Sequence, residues 1–291
     1  MRYYLSGIFY SFLWASAAAA TKFGLESVPP LVLANVRFMI AGAVMIVMAH
    51  FFWKGDRRFP SGKEWKPLII FGLLNTTIYL GAYVYAMREV SAGIGSLATA
   101  TNPLFILIIS GIWLKRKIKT REVLGILLGI SGILLATYPL LMTSNATIRG
   151  ILILFFAMVA VSFATVYYSS VKWKLPALTI NAWQVFIGGI ALLPFTYLIS
   201  GNQPGSFDIR FWASVGWLIL PVSVIALQLW FYLLKTDPVK ASLWLFLCPI
   251  FGFLIAGILF KEPITLYTIA GTCMVLAGLY LSMSAKPVKT T

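Results

Sequence analysis

Residues 96–118 read SLATATNPLFILIISGIWLKRKI, and residues 242–264 read SLWLFLCPIFGFLIAGILFKEPI. At an offset of 146 they share Ser96/Ser242, Leu97/Leu243, Pro103/Pro249, Phe105/Phe251, Ile109/Ile255, Gly111/Gly257, Ile112/Ile258, Lys115/Lys261 and Ile118/Ile264. The register extends to Asn35/Asn181, Gly42/Gly188, Gly125/Gly271 and Gly132/Gly278. Self-similarity at a fixed offset points to a duplicated unit of about half the chain. In both quoted copies charge is confined to the last few residues, too little to solvate a soluble domain.

Working outward, 60% of the 291 residues are hydrophobic and 11% charged, and the mean hydropathy is +0.91. That composition belongs in a bilayer. Apolar runs long enough to span one lie at about 5–22, 31–53, 68–87, 91–114, 122–142, 150–171, 177–200, 211–235, 240–260 and 264–284. Hydrocarbon satisfies no backbone polar group, so each run is expected to be a helix, and the period-two alternation of a membrane barrel is absent. Arg2, the apolar run and Ala15 to Ala20 also fit a secretory signal peptide. Gly7-Ile8 matches Gly150-Ile151, however, so the run is read as the first helix of a repeat.

Charge placement predicts orientation. With a cytoplasmic N-terminus, the inner face collects Arg2, Lys54, Arg57, Arg58, Lys63, Lys66, Lys115, Arg116, Lys117, Lys119, Arg121, Lys172, Lys174, Lys235, Lys240, Lys286 and Lys289. The outer face collects Lys22, Arg88, Arg149, Arg210 and Lys261, a ratio of 17 to 5. Both termini are therefore expected in the cytoplasm. The formal charge of +15 is read as topology and contact with anionic lipid rather than nucleic-acid binding.

Five spans per copy is an odd number, so the second copy is expected to insert inverted. The expected fold is an all-α integral membrane protein of ten transmembrane helices in two inverted five-helix repeats, 1–145 and 146–291. Their boundary falls in the polar stretch Thr143 to Thr147. Lys115-Arg116-Lys117 and Lys261-Glu262-Pro263 would then lie on opposite faces, with the basic cluster inside. Inverted repeats that rock about a central site are the architecture of secondary transporters.

Glu26, Asp56, Glu64, Glu89, Glu122, Asp208, Asp237 and Glu262 all avoid the middle of a predicted span, so the buried carboxylate of many proton-coupled carriers is missing. His50 is read as an interfacial polar residue, and Cys248 and Cys273 as packing residues. No metal-ligand spacing, nucleophile constellation or nucleotide-binding loop is present, so no metal, cofactor or direct use of ATP is expected. An enzyme has little to work with.

What remains inside the spans is cationic, amidic and aromatic. Lys22 and Arg37 either reach the interface or face an anionic substrate. Asn102, Gln184 and Gln228 need partners, either across helix interfaces or in a wet cavity. Trp14, Tyr79, Tyr83, Trp183 and Trp244 pack helices or flank a substrate's apolar body. Pro103 and Pro249, expected mid-helix at equivalent positions, are candidate kinks for gating. Gly125, Gly129 and Gly132, with Gly271 and Gly278, form small-residue faces for close packing, within the bundle or between copies. A monomer and a homodimer both fit.

These residues resemble the EamA-type family of the drug/metabolite transporter superfamily over nearly the whole chain. The first copy carries Trp14, Lys22, Pro30 and Arg37 in VPPLVLANVRF, then AMREVSAGIGSL, Pro103 and GILLGISGILL; the second carries LFLCPIFGFLIAG, Lys261-Glu262-Pro263 and a final glycine helix. The resemblance implies that helices one to four and six to nine surround a pathway, that five and ten buttress it, and that small metabolites, often amino acids, are exported or exchanged. Arg116 stands where the family usually has an acidic residue, whereas Glu262 keeps the pattern. The expected function is a secondary transporter of the cytoplasmic membrane working by alternating access. A flippase for lipid-linked carriers and, further off, an intramembrane enzyme are the alternatives.

Overall fold

Helix accounts for the apolar runs because every backbone N–H must find its carbonyl within the segment. The computed structural model describes residues 2–53, 55–90, 92–143, 147–201, 203, 205–260 and 265–283. Its helices are α1 (Arg2–Leu25), α2 (Pro30–Phe52), α3 (Gly62–Ala86), α4 (Ala92–Thr99), α5 (Asn102–Trp113), α6 (Thr120–Thr143), α7 (Ile148–Ser170), α8 (Ala177–Ser200), α9 (Ile209–Leu234), α10 (238–260) and α11 (Leu266–Met283). No strand occurs among the described residues. Of the described helices, α2, α3, α7, α8 and α9 are each long and apolar enough to cross a membrane. Lys261-Glu262-Pro263 and residues 144–146 of the expected repeat boundary lie outside the described residues.

Helix starts follow local chemistry. Pro30 opens α2, where its missing N–H costs nothing. Ser61 and Glu64 cap the start of α3 reciprocally. Thr147, Asp208 and Asp237 accept from Gly150 N, Phe211 N and Lys240 N, each at 2.9 Å, opening α7, α9 and α10. The Phe211 N–H also holds the Asp208 carboxyl below its ordinary range. α8 ends at Gly201, whose φ of +48° suits a residue without Cβ.

The fourth run is not one helix. It breaks at Ala100-Thr101, so Pro103 sits in the first turn of α5 rather than mid-helix. At the matching place in α10 the backbone tightens to a 3-10 turn, Leu243–Phe246, just ahead of Pro249. A proline removes the bond to the carbonyl four residues back and crowds it, so the irregularity lands on its N-terminal side in both.

α6 packs along α11, and α2 along α8. A Cβ on Gly132 would lie 2.6 Å from Gly271 O, and one on Gly125 the same distance from Gly278 O, so this glycine face is used within the chain. At the α2–α8 crossing a Cβ on Gly42 would lie 2.7 Å from Phe186 Cα. α1 packs on α9, α10 and α4, while α7 packs on α3, α5 and α4. Outward-facing side chains are large and apolar, such as Ile112, Leu198 and Tyr197, as lipid contact requires.

Arg116, where an acid was expected, is buried in an ion-pair cluster. It grips Glu122 at 2.6 and 2.9 Å and Asp237 at 2.9 Å, tying the α5–α6 loop to the start of α10. Burial opposes its charge, but the Glu122 and Asp237 carboxylates outweigh that and hold it protonated beyond its ordinary range.

Candidate functional site

Two stretches of the bundle are wound more widely than an α-helix: Leu73–Leu80 in α3 and Leu218–Ala226 in α9 are π-helical. They begin almost one repeat offset apart, and each turns a run of buried side chains toward the middle of the bundle. A π-turn shifts the register of every later side chain and is frequent at functional sites. In α3 it delivers Asn75 and Tyr79 to the centre, and Tyr83 follows one turn on.

Two small cavities lie there, of about 20 Å³ and 10 Å³, sharing Trp14 and Tyr79 as wall. Each has room for about one water molecule. Arg37 and Tyr83 complete the first with Thr21, Thr99, Val222 and Cys248. Asn75, Asn102, Thr165 and Trp230 face the second, with Tyr10 beside them. Trp14, Tyr10 and Trp230 form a continuous stack, with centroids 5.7 and 5.0 Å apart. All three rings line the second cavity.

Arg37 is 3% exposed. Its Nε donates to Ser223 Oγ at 3.1 Å, and its guanidinium lies 5.4 Å from the Phe38 ring centroid. Nη2 has no partner among the described residues, and neither has Asn102 Oδ1. A buried charged donor left unpaired is costly, and the cavity it lines is where a partner would enter.

The arginine is positioned through amides. Ser223 Oγ donates to Leu218 O, while Ser223 O accepts from Asn181 Nδ2 at 2.8 Å. Asn181 Oδ1 accepts from Gln184 Nε2 at 3.1 Å, and Gln184 Oε1 accepts from Thr76 Oγ1 at 2.7 Å and Asn75 Nδ2 at 3.4 Å. Asn35, at Asn181's repeat position, donates to Gly189 O at 2.9 Å.

Of the residues singled out in the sequence, the structure therefore brings together Trp14, Arg37, Tyr79, Tyr83 and Asn102. Gln184 is fully buried and committed to its amide chain rather than to a cavity. Lys22 Nζ donates to Met87 O and, at 2.6 Å, to Val90 O, tying the end of α1 to the α3–α4 turn. Gln228 Nε2 reaches Ala177 O at 3.4 Å. Trp183 stands with Phe59 and Trp65 where α3 begins. Its Nε1 donates to His50 Nε2 at 3.1 Å, and His50 Nδ1 lies 2.7 Å from Arg57 O, so the imidazole carries its proton on Nδ1. Trp244 covers Gly7 and meets Tyr3 and Tyr4 edge-on at the start of α1. Of the two prolines, Pro103 adjoins Asn102 and Pro249 adjoins Cys248, so both backbone irregularities border the cavities. Asn75, Thr76 and Ser223 were missed because a π-turn leaves no compositional trace. Tyr10 completes the stack at helical spacing from Trp14, a signal that was available.

The profile of the EamA-like transporter family matches residues 1–138 and 148–284. A protein of Archaeoglobus fulgidus named as a transporter is 28% identical over 92% of this chain and 94% of its own length. The inner membrane transporter YedA of Escherichia coli is 26% identical over 84% of this chain and 78% of its own. A crystal structure 18% identical superimposes with a TM-score of 0.77 over 96% of this chain and 95% of that one, a likeness of fold.

Proposed function

The chain belongs to the EamA-like transporter family and is a multi-pass membrane transporter, and from that premise we propose that it is a secondary transporter of small amphiphilic metabolites bearing an anionic group, amino acids among them. It works as an exporter or exchanger across the cytoplasmic membrane by alternating access. The observation that carries this reading is Arg37, buried with Nη2 unpartnered among the described residues, in a cavity walled by Trp14, Tyr79 and Tyr83. The guanidinium attracts the anion, Asn102 Oδ1 accepts from a donor on the cargo, and the rings flank its body.

The architecture proposed is ten spans in two inverted five-helix repeats, 1–145 and 146–291, with α4 and α5 forming one span. Three features support it. The α1 contacts with α9 and α10 correspond to the α7 contacts with α3 and with α4 and α5 when the halves are exchanged. Asn35 and Asn181 occupy matching positions, and so do the two wide segments. Loop charges favour both termini in the cytoplasm, and the inner-membrane relative favours the cell membrane. Lys22 then acts at the outer mouth, holding α1 against the α3–α4 turn.

Comparing extracellular metabolites of cells lacking the protein, producing it, or producing Arg37→Ala at equal membrane level tests this. Wild type raises at least one carboxylate-bearing solute and the variant does not. A wild type that changes no solute removes the proposal, and lipid-linked compounds changing alone would turn it to a flippase.

A further inference from the structure

Where α3 begins and α7 ends, a cleft of about 470 Å³ opens outside the transport site, within the size range of small-molecule pockets. We propose that it binds the phosphate-bearing headgroup of an anionic phospholipid, gripped by Lys63, Lys172 and Lys174. The cleft runs between residues 58–67, which lead into and begin α3, and residues 171–175 after α7. Its one carboxylate is already paired: Arg58 Nη1 and Nη2 donate to Glu64 at 2.6 and 2.7 Å, and Nε donates to Asp56 at 3.1 Å. The three lysines are exposed and have no ion-pair partner among the described residues, and their charge exceeds the single negative charge left over when Arg58 serves both Glu64 and Asp56.

The inner wall is held by Trp173. Trp173 Nε1 donates to Tyr168 O at 2.9 Å and its ring stacks on Tyr168 at 5.5 Å. Amphipathic indoles favour the headgroup layer, and the ends of two apolar helices set the cleft at that depth. Farther along the same two helices Ile69 and Phe163 are exposed, at 42% and 38%, as surface for acyl chains. That apolar surface favours a lipid over a soluble phosphate compound. Each lysine near a charged headgroup layer is worth roughly fivefold in affinity, so the three together give about 100-fold.

The test uses the purified full chain in nanodiscs of zwitterionic lipid, titrated with fluorescent phosphatidylglycerol, so no transport is read and the cargo assignment is not involved. Lys63→Ala/Lys172→Ala/Lys174→Ala is expected to weaken binding about 100-fold, the corresponding arginine triple to keep it, and Lys115→Ala/Lys117→Ala/Lys235→Ala to change it less than about threefold. Native mass spectrometry of the same samples counts one fewer retained anionic lipid in the first variant. Unchanged affinity in that variant, or equal loss in the control triple, overturns the site. Competition by glycerol phosphate or orthophosphate below millimolar overturns the lipid and assigns the cleft to a soluble phosphate compound.

Discussion

The two wide helical segments share a burial pattern and differ in chemistry. In α3, Asn75, Thr76 and Thr77 are buried, Ile78 is exposed, and Tyr79 and Leu80 are buried again. In α9, Val222, Ser223 and Val224 are buried, Ile225 is exposed, and Ala226 and Leu227 are buried. The patterns coincide one residue beyond the repeat offset, with Tyr83 matched by Trp230. Under the proposed duplication, the backbone device is kept while the amide and the phenols belong to the first copy alone. The same division holds for Arg37, whose repeat counterpart is Trp183, set apart in the aromatic cluster around His50. One half supplies the polar groups of the site, and the other mostly supplies wall and orientation.

The largest effect expected from breaking that asymmetry is at the cation. Losing a charge-assisted hydrogen bond costs about 1.5–3 kcal/mol, so Arg37→Leu lowers kcat/KM roughly 10- to 150-fold in reconstituted vesicles, whereas Trp183→Leu changes it a few-fold. Next, giving α3 the residue of α9, Tyr79→Ala, lowers cargo affinity severalfold, from about 0.5–1.5 kcal/mol for an aromatic contact. Ala226→Val, at the matching position of α9, leaves affinity unchanged. Comparable losses at Trp183 or Ala226 would mean the copies contribute chemistry equally.

The amide pair sharpens the comparison at smaller size. Asn35→Leu and Asn181→Leu each lose a buried hydrogen bond worth about 1 kcal/mol. Asn181→Leu also strands Gln184 and loosens Ser223, so it melts at the lower temperature and alone raises KM. The smallest effect is at the helix starts. The Asp208 carboxyl is held below its ordinary range by Phe211 N–H, so its contribution is present above the unfolded carboxyl pKa of about 4 and fades as pH falls through the lowered value. Melting curves of wild type and Asp208→Asn should converge slightly as pH drops through that window. A gap that widens would contradict the capping role.

How much of this was legible follows from which signals are compositional. Apolar runs are written in residue type, so the helices could be read directly. Arg37, Trp14, Tyr79, Tyr83 and Asn102 could be nominated because charge, amides and rings are conspicuous in hydrocarbon. Partnering was not legible. Gln184 and Asn102 look alike in sequence, yet one is bonded to Asn181, Thr76 and Asn75 while the other has an Oδ1 without a partner among the described residues. Lys22 resembles Arg37 until its ammonium is seen spent on two carbonyls. The break at Ala100-Thr101 and both π segments are backbone events, and no side-chain period announces them.

The central claim, that Arg37 in the first half receives the cargo's anionic group, meets its most direct test in cells. Extracellular metabolites are profiled for strains making wild type, Arg37→Ala or no protein, with membrane levels matched. The predicted result is that Arg37→Ala coincides with the strain making none for every carboxylate-bearing solute that wild type moves. An Arg37→Ala profile indistinguishable from wild type would contradict it.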